Sequence, residues 1–143
     1  MGAKVLKVKN RNEFKNYMAE NGPAKRMVID FFATWCPPCR MISPVFEELS
    51  AKYGGRVTFL KVDVDEIRVA AQKCGIESMP TFQGYYKGKL IGQVAGADKE
   101  KLEELIKKVA ELGDENDEDE GGEWYDQPKK KRSFFKRLFK KSS

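Results

Sequence analysis

Two cysteines separated by two residues, Cys36 and Cys39, are the side chains of this sequence best suited to chemistry. The thiolate, not the thiol, attacks disulfides and binds metals. A pair at this spacing can also close on itself, which makes it a two-electron switch. Upstream, Met27-Val28-Ile29-Asp30-Phe31-Phe32 is an apolar run broken by one carboxylate, the pattern of a strand buried on both faces. Downstream, Met41, Ile42, Val45, Phe46 and Leu49 recur at helical spacing. The cysteines therefore fall where a strand ends and a helix begins. With Cys36 at the N-cap and Cys39 one turn in, the first sulfur faces unsatisfied N–H groups and the positive end of the helix dipole. A Cys-X-X-Cys thiol so placed falls from a pKa of about 8.5 to about 7, raising its thiolate fraction at neutral pH from roughly 3% to roughly 50%. Lower basicity weakens nucleophilicity, so the net gain in attack rate is modest. The larger advantage is a resolving thiol held three residues away at high effective concentration.

Other uses of the pair fit less well. A zinc site needs further ligands, but the chain has no histidine and one other cysteine, Cys74. A purely structural disulfide would close a loop of a few residues and add little stability. Without histidine, Ser-His and Cys-His catalysis are excluded, and any proton carrier must be another group.

The segment Val28 to Arg40, Val-Ile-Asp-Phe-Phe-Ala-Thr-Trp-Cys-Pro-Pro-Cys-Arg, resembles the active-site segment of thioredoxins. Phe59-Leu60-Lys61-Val62-Asp63-Val64-Asp65, Ser78-Met79-Pro80-Thr81-Phe82 and Val94-Ala95-Gly96-Ala97 match further family segments in order and spacing. The resemblance spans roughly residues 4 to 112. It implies an α/β thioredoxin fold, with a mixed central sheet flanked by helices on both faces. It also implies reduction of protein disulfides by dithiol–disulfide exchange, with Cys36 as nucleophile and Cys39 as resolving thiol. One departure is Pro37-Pro38 where thioredoxins usually carry Gly-Pro, a pairing similar to tryparedoxins and nucleoredoxins. Pro37 is tolerated in a first helical turn but removes an N–H donor.

The same resemblance assigns supporting roles. Asp30, six residues before Cys36, matches the family's buried aspartate and would take the proton of Cys39 through water. Lys61 matches the lysine that offsets this charge. Pro80 matches a cis-proline set against the cysteine pair, which lets the backbone of Met79 pair with an extended substrate segment. Trp35, Pro37, Met79, Gly96 and Ala97 would form the apolar docking surface. No metal or bound cofactor is implied; the Cys36–Cys39 disulfide would be recharged by NADPH through thioredoxin reductase. The alternatives are a strand-end carboxylate reaching water for Asp30, an ordinary edge-of-sheet lysine for Lys61 and simple core packing for Trp35. Cys74 reads as a buried structural thiol in preference to a regulatory one.

The elements that must hold these residues follow in order. Val5, Leu6 and Val8 suggest a first strand, and Asn10 with Glu13 resembles a capping box opening a helix through Met18. The Asp30 strand and the cysteine helix, with a kink expected at Pro44, come next. Val57–Val64 reads as a strand, with Asp65 capping a short helix that ends near Gly75. Two strands, Thr81–Tyr86 and Leu90–Ala95, turn at Lys87-Gly88-Lys89. Asp98 then caps a last helix striped with Leu102, Leu105, Ile106 and Val109. The order βαβαβαββα implies a mixed sheet covered on both faces.

The chain has 143 residues, 34% of them charged, and divides into a domain at 1–112, an acidic linker at 113–128 and a basic segment at 129–143. Eight acids (Asp114, Glu115, Asp117, Glu118, Asp119, Glu120, Glu123, Asp126) precede eight bases (Lys129, Lys130, Lys131, Arg132, Lys136, Arg137, Lys140, Lys141), so the net +5 belongs to the domain. The acidic block cannot build a core and is expected to be disordered. In the basic block, Phe134, Phe135, Leu138 and Phe139 would share one side of a helix, an amphipathic pattern suited to an anionic membrane surface or a protein partner. A redox or binding module targeted through this tail is the alternative function. Lys129–Arg132 also fits a nuclear address, whereas nucleic acid is not an expected partner. Met1–Lys7 lacks the apolar core of a secretory signal, and Leu6 stands where N-myristoylation wants Ser or Thr. With three cysteines, this points to a reducing, cytoplasmic setting in which the pair rests as thiols.

Overall fold

The computed structural model describes residues 2–113. The readings made for 114–143, and hence the linker and tail boundaries, lie outside these residues. The chain forms β1 (Val5–Lys7), α1 (Arg11–Met18), β2 (Arg26–Phe32), α2 (Pro37–Tyr53), β3 (Thr58–Asp63), α3 (Arg68–Cys74), β4 (Thr81–Tyr86), β5 (Lys89–Ala95) and α4 (Lys99–Glu111). This is the βαβαβαββα order expected from the sequence.

The five strands form one sheet in the order β1-β3-β2-β4-β5. β3 runs parallel to β1 and β2, whereas β4 is antiparallel to β2 and β5. β2 is thus central, which explains its nearly continuous apolar run: both faces must be covered. Side chains alternate along a strand. Met27, Ile29 and Phe31 enter a core shared with Phe14 of α1 and Ala70 of α3. Val28 enters the opposite core, with Phe59 of β3, Phe46 of α2, and Leu102, Ile106 and Val109 of α4. Alternation therefore sends Asp30 of β2 and Lys61 of β3 to the side occupied by α2.

Local signals set the helix ends. Asn10 Oδ1 accepts from Glu13 N at 2.9 Å, and Glu13 Oε1 accepts from Lys9 N at 2.7 Å. The box thus closes on the residue before the cap. Asp98 Oδ1 accepts from Lys101 N at 3.1 Å, capping α4 as the sequence indicates. α2 continues unbroken through Pro44.

One capping assignment is overturned. Asp65 does not cap α3, whose N-cap is Ile67 with no side-chain bond. Asp63 takes the turn instead: its Oδ1 accepts from Asp65 N at 2.9 Å and Glu66 N at 3.3 Å. Two aspartates at alternate positions both match a cap motif, and strand β3 ends on the first. Packing of α4 against the sheet depends on Gly84, where a Cβ would lie 2.7 Å from Val109 Cγ2. Among the described residues, no helix is long and apolar enough to cross a membrane.

Candidate active site

Strand β2 ends at Phe32, and four residues later α2 opens with Cys36 as its N-cap and two prolines in its first turn. Cys36 Sγ accepts the backbone N–H of Cys39 at 3.1 Å, so a sulfur does the work usually given to a capping oxygen. Arg40 N donates to Cys36 O at 3.2 Å, continuing the helical ladder. Cys36 and Cys39 are joined in a disulfide with Cα atoms 5.3 Å apart, the oxidised state of the switch. The pair is nearly covered, Cys36 being 3% and Cys39 4% exposed, so an attacking partner must approach along one narrow rim.

That rim includes the segment before β4. The Met79–Pro80 peptide is cis. Met79 O lies 3.6 Å from Cys36 Sγ, and Pro80 O accepts from Gly96 N at 2.8 Å. Met79, Pro80 and Gly96 are thereby gathered beside the cysteines, with Met79 and Gly96 half-buried. Gly96 has φ +102°, a backbone state that L side chains rarely adopt. Ala97, next to it, and Pro37 are exposed. Trp35 is 62% exposed, which overturns the core-packing reading of that residue. Its Nε1 donates to Asp65 Oδ2 at 2.8 Å, a bond the sequence reading missed. Thirty residues separate the two, and no local pattern could have paired them.

Beneath the pair lies a cavity of about 290 Å³ lined by Asp30, Cys39, Arg40, Ser43, Lys61 and Thr34, among others. Asp30 sits mid-strand and is 4% exposed, so it is not a strand-end carboxylate reaching water. Its Oδ1 has no hydrogen-bond partner. Burial pushes its pKa from the ordinary 3.8 up to about 7, while the Lys61 ammonium pulls the other way. Desolvation wins because a carboxylate so deeply covered loses most of its hydration. Lys61 is half-buried on an interior strand, β3, which overturns the edge-of-sheet reading; its Nζ lies 5.6 Å from the Phe32 ring centroid.

Cys74, the last residue of α3, is half-buried rather than buried. Its Sγ lies 3.6 Å from the Tyr85 hydroxyl, and its carbonyl accepts from Gln83 Nε2 at 3.0 Å. Burial raises the thiol's pKa and outweighs the opposing hydrogen bond from Tyr85, which leaves little reactive thiolate. Among the described residues, no group of three or more His, Cys, Asp or Glu side chains is arranged to hold a metal ion.

A helix-capping sulfur closed onto its neighbour and backed by a buried carboxylate carries out two-electron exchange with disulfides, so the class is thiol–disulfide oxidoreductase. The chain belongs to the thioredoxin family, whose model, described as Thioredoxin, matches residues 4–109. Thioredoxin from Homo sapiens is 44% identical over 105 residues, covering 73% of this chain and 98% of that protein. Thioredoxin H-type from Chlamydomonas reinhardtii is 42% identical over 111 residues, covering 77% of this chain and 98% of the relative. The crystal structure of Malassezia sympodialis thioredoxin superposes with a TM-score of 0.70 at 43% identity, covering 76% of this chain and 92% of that one. The chain is a protein-disulfide oxidoreductase working by dithiol–disulfide exchange at the Cys36–Cys39 pair. Thioredoxins need no cofactor of their own, act on disulfide substrates and are reduced by thioredoxin reductase.

Proposed function

We propose that this chain reduces protein disulfides by the following steps. The Cys36 thiolate attacks one sulfur of a substrate disulfide, forming a mixed disulfide and expelling a substrate thiolate, which takes a proton from solvent. Cys39 passes its proton to Asp30. The Cys39 thiolate then attacks Cys36 Sγ, breaking the mixed disulfide, closing the Cys36–Cys39 bond and expelling the second substrate thiolate, which takes a proton from solvent. Two electrons pass from the dithiol to the substrate. NADPH restores the dithiol through thioredoxin reductase.

The observation that carries this division of labour is the helix cap. Cys36 Sγ receives the Cys39 N–H at 3.1 Å, so the negative charge of a Cys36 thiolate would meet a donor already in place. Cys39, one turn in, shares the 290 Å³ cavity with Asp30. That volume far exceeds the share of one water in the liquid, about 30 Å³, so a water relay between the two fits. With its pKa near 7, Asp30 is matched to accept and release a proton at neutral pH. Lys61 tunes that base. Trp35, Pro37, Met79, Gly96 and Ala97 dock the substrate, Pro80 holding the Met79 backbone where an extended segment can pair with it. The domain is residues 1–112 and works in a reducing, cytoplasmic setting. The sequence of 129–143, basic with Phe134, Phe135, Leu138 and Phe139 at helical spacing, supports docking of the tail on an anionic membrane surface or a protein partner.

Insulin-disulfide reduction tests the reading. The parent is expected to turn over, and Cys36→Ser to fold and yet be inert. A Cys36→Ser chain that matched the parent's rate would overturn it.

A further inference from the structure

β2 runs from Arg26 to Phe32, and the cysteines follow its far end. Its seven residues span roughly 20 Å, so the chain entering β2 lies at the end of the sheet opposite Cys36. The β4–β5 hairpin turns at that same end, since Arg26 pairs with Tyr86 and Tyr86 with Lys89. Cations gather there. Lys25 Nζ, Arg26 Cζ and Lys87 Nζ lie 5.9, 5.7 and 5.4 Å from the centre of the Tyr86 ring. Lys87 N donates to Lys25 O at 2.8 Å, which ties the hairpin tip to the start of β2. Lys87 has φ +52° and Gly88 φ +81°, a two-residue turn whose first place favours Asn or Gly. Lys87 thus holds its ammonium at the tip at some backbone cost. Lys89, exposed, follows, and then Leu90, 54% exposed.

Three cations on one ring, with a fourth two residues further on, repel one another. The electron-rich face of Tyr86 offsets part of this, and Glu20, which shares a cleft with Lys25 and Lys87, offsets another part. Acids stand at the cysteine end instead. Asp63, the Cα partner of Phe32, lies there with Asp65 and Glu66 of the same turn, and Asp98 follows the end of β5. The domain is therefore polarised along its strands, positive away from the cysteines.

We propose that the end of the domain bearing Lys25, Arg26, Lys87 and Lys89 is a contact face for an anionic lipid membrane, with Leu90 at its apolar margin. Cations spread around a ring and over a hairpin tip, beside an exposed leucine, match a broad field of negative headgroups above an apolar layer. The opposite polarity of the two ends sets the orientation: an anionic surface attracts the lysine end and repels the acids at the other. Docked this way, the rim around Cys36 faces away from the bilayer and stays open to protein disulfides. The inference concerns the domain and stands apart from the docking proposed for 129–143.

The test uses the full chain and phosphatidylcholine vesicles containing about one-third phosphatidylserine. The parent should bind them, and added salt should release it. Each basic residue at such a surface changes partition about fivefold, so Lys25→Gln/Lys87→Asn/Lys89→Gln should bind about 100-fold more weakly. Insulin reduction by that triple variant should stay within about twofold of the parent, which also shows that it folds. Orientation is read with a lipid carrying a nitroxide on its headgroup. It should quench the indole of a chain with Trp35→Phe, Trp124→Phe and Leu90→Trp, and should leave Trp35 bright in a Trp124→Phe chain, where it is the sole indole of the two in the sequence. A triple variant that binds as tightly as the parent overturns the proposal and leaves the tail as the whole anchor. Equal quenching of the two indoles overturns it as well. So does a parent that ignores the anionic vesicles; binding to polyglutamate in that case would mark the face as one for an acidic protein partner.

Discussion

Asp30 and Lys61 are Cα partners in the parallel register of β2 and β3, and both line the cavity beneath Cys39. Two opposite charges in register would ordinarily hold each other ionised. Here the carboxyl is the more deeply covered, and burial outweighs the neighbouring ammonium, so Asp30 titrates near pH 7.

Fold stability should therefore fall as pH rises. The folded chain keeps the Asp30 proton up to about pH 7, whereas the unfolded chain releases it near the ordinary 3.8. The native state binds more protons across that window, so stability present at the acid end is lost as pH climbs through it. Three pH units correspond to about 4 kcal/mol. Asp30→Asn removes this titration at nearly constant volume. Urea denaturation should show Asp30→Asn gaining on the parent between pH 4 and pH 8 by several kcal/mol. A difference that stayed flat with pH would show that Asp30 does not titrate in this window.

Removing Lys61 should shift catalysis without touching the cysteines. Its ammonium favours the ionised form of Asp30, so Lys61→Gln moves the Asp30 midpoint upward. The acid limb of the kcat profile should then move toward alkaline pH. Turnover should drop about two- to fivefold at pH 7 and recover at higher pH. A uniform loss at every pH would count against proton transfer and for a packing role.

Much of this was legible in the sequence because it is local. The apolar run ending in Phe32, the prolines and cysteines after it, and the stripe Leu102, Leu105, Ile106, Val109 each dictate their own element, and each element formed where it was read. What stayed hidden was contact between distant segments. Asp63 and Asp65 look interchangeable as caps, and only the end of β3 decides between them. The Trp35–Asp65 bond joins two loops at the same end of the sheet, and Lys61 proved interior because β1 adds outside β3. The mid-strand burial of Asp30 followed from the central place of β2, which the strand's own composition only suggests.

Gly84 bears on stability through a close approach and not a special φ. A methyl there would meet Val109 Cγ2 at 2.7 Å and Leu105 Cδ1 at 3.1 Å, both buried in the α4–sheet interface. Those side chains are packed on all sides and cannot retreat far. Gly84→Ala should cost about 1–3 kcal/mol, read as a lowered denaturation midpoint. Gly84 pairs with Val28 near the start of β2, whereas the cysteines follow its end, so activity at low temperature should persist. A neutral or stabilising effect would mean that α4 can shift outward freely.

The order of attack can be read from a trapped intermediate. Cys36 occupies the cap, where its sulfur accepts the Cys39 N–H, while Cys39 faces the Asp30 cavity. Cys39→Ser keeps the nucleophile but removes the resolving thiol, so the mixed disulfide with substrate should accumulate and be released by dithiothreitol. Cys36→Ser should trap nothing. Under multiple-turnover conditions both variants should fall more than about 100-fold below the parent, since neither can complete an intramolecular exchange. Mass spectrometry of the adduct settles the assignment, because substrate attached through Cys39 in the Cys36→Ser chain would reverse the two roles. The Asp30 reading adds a further constraint. Combining Cys39→Ser with Asp30→Asn should leave the rate of adduct formation within about twofold of Cys39→Ser alone, because Asp30 is assigned to the second step and not to the first attack.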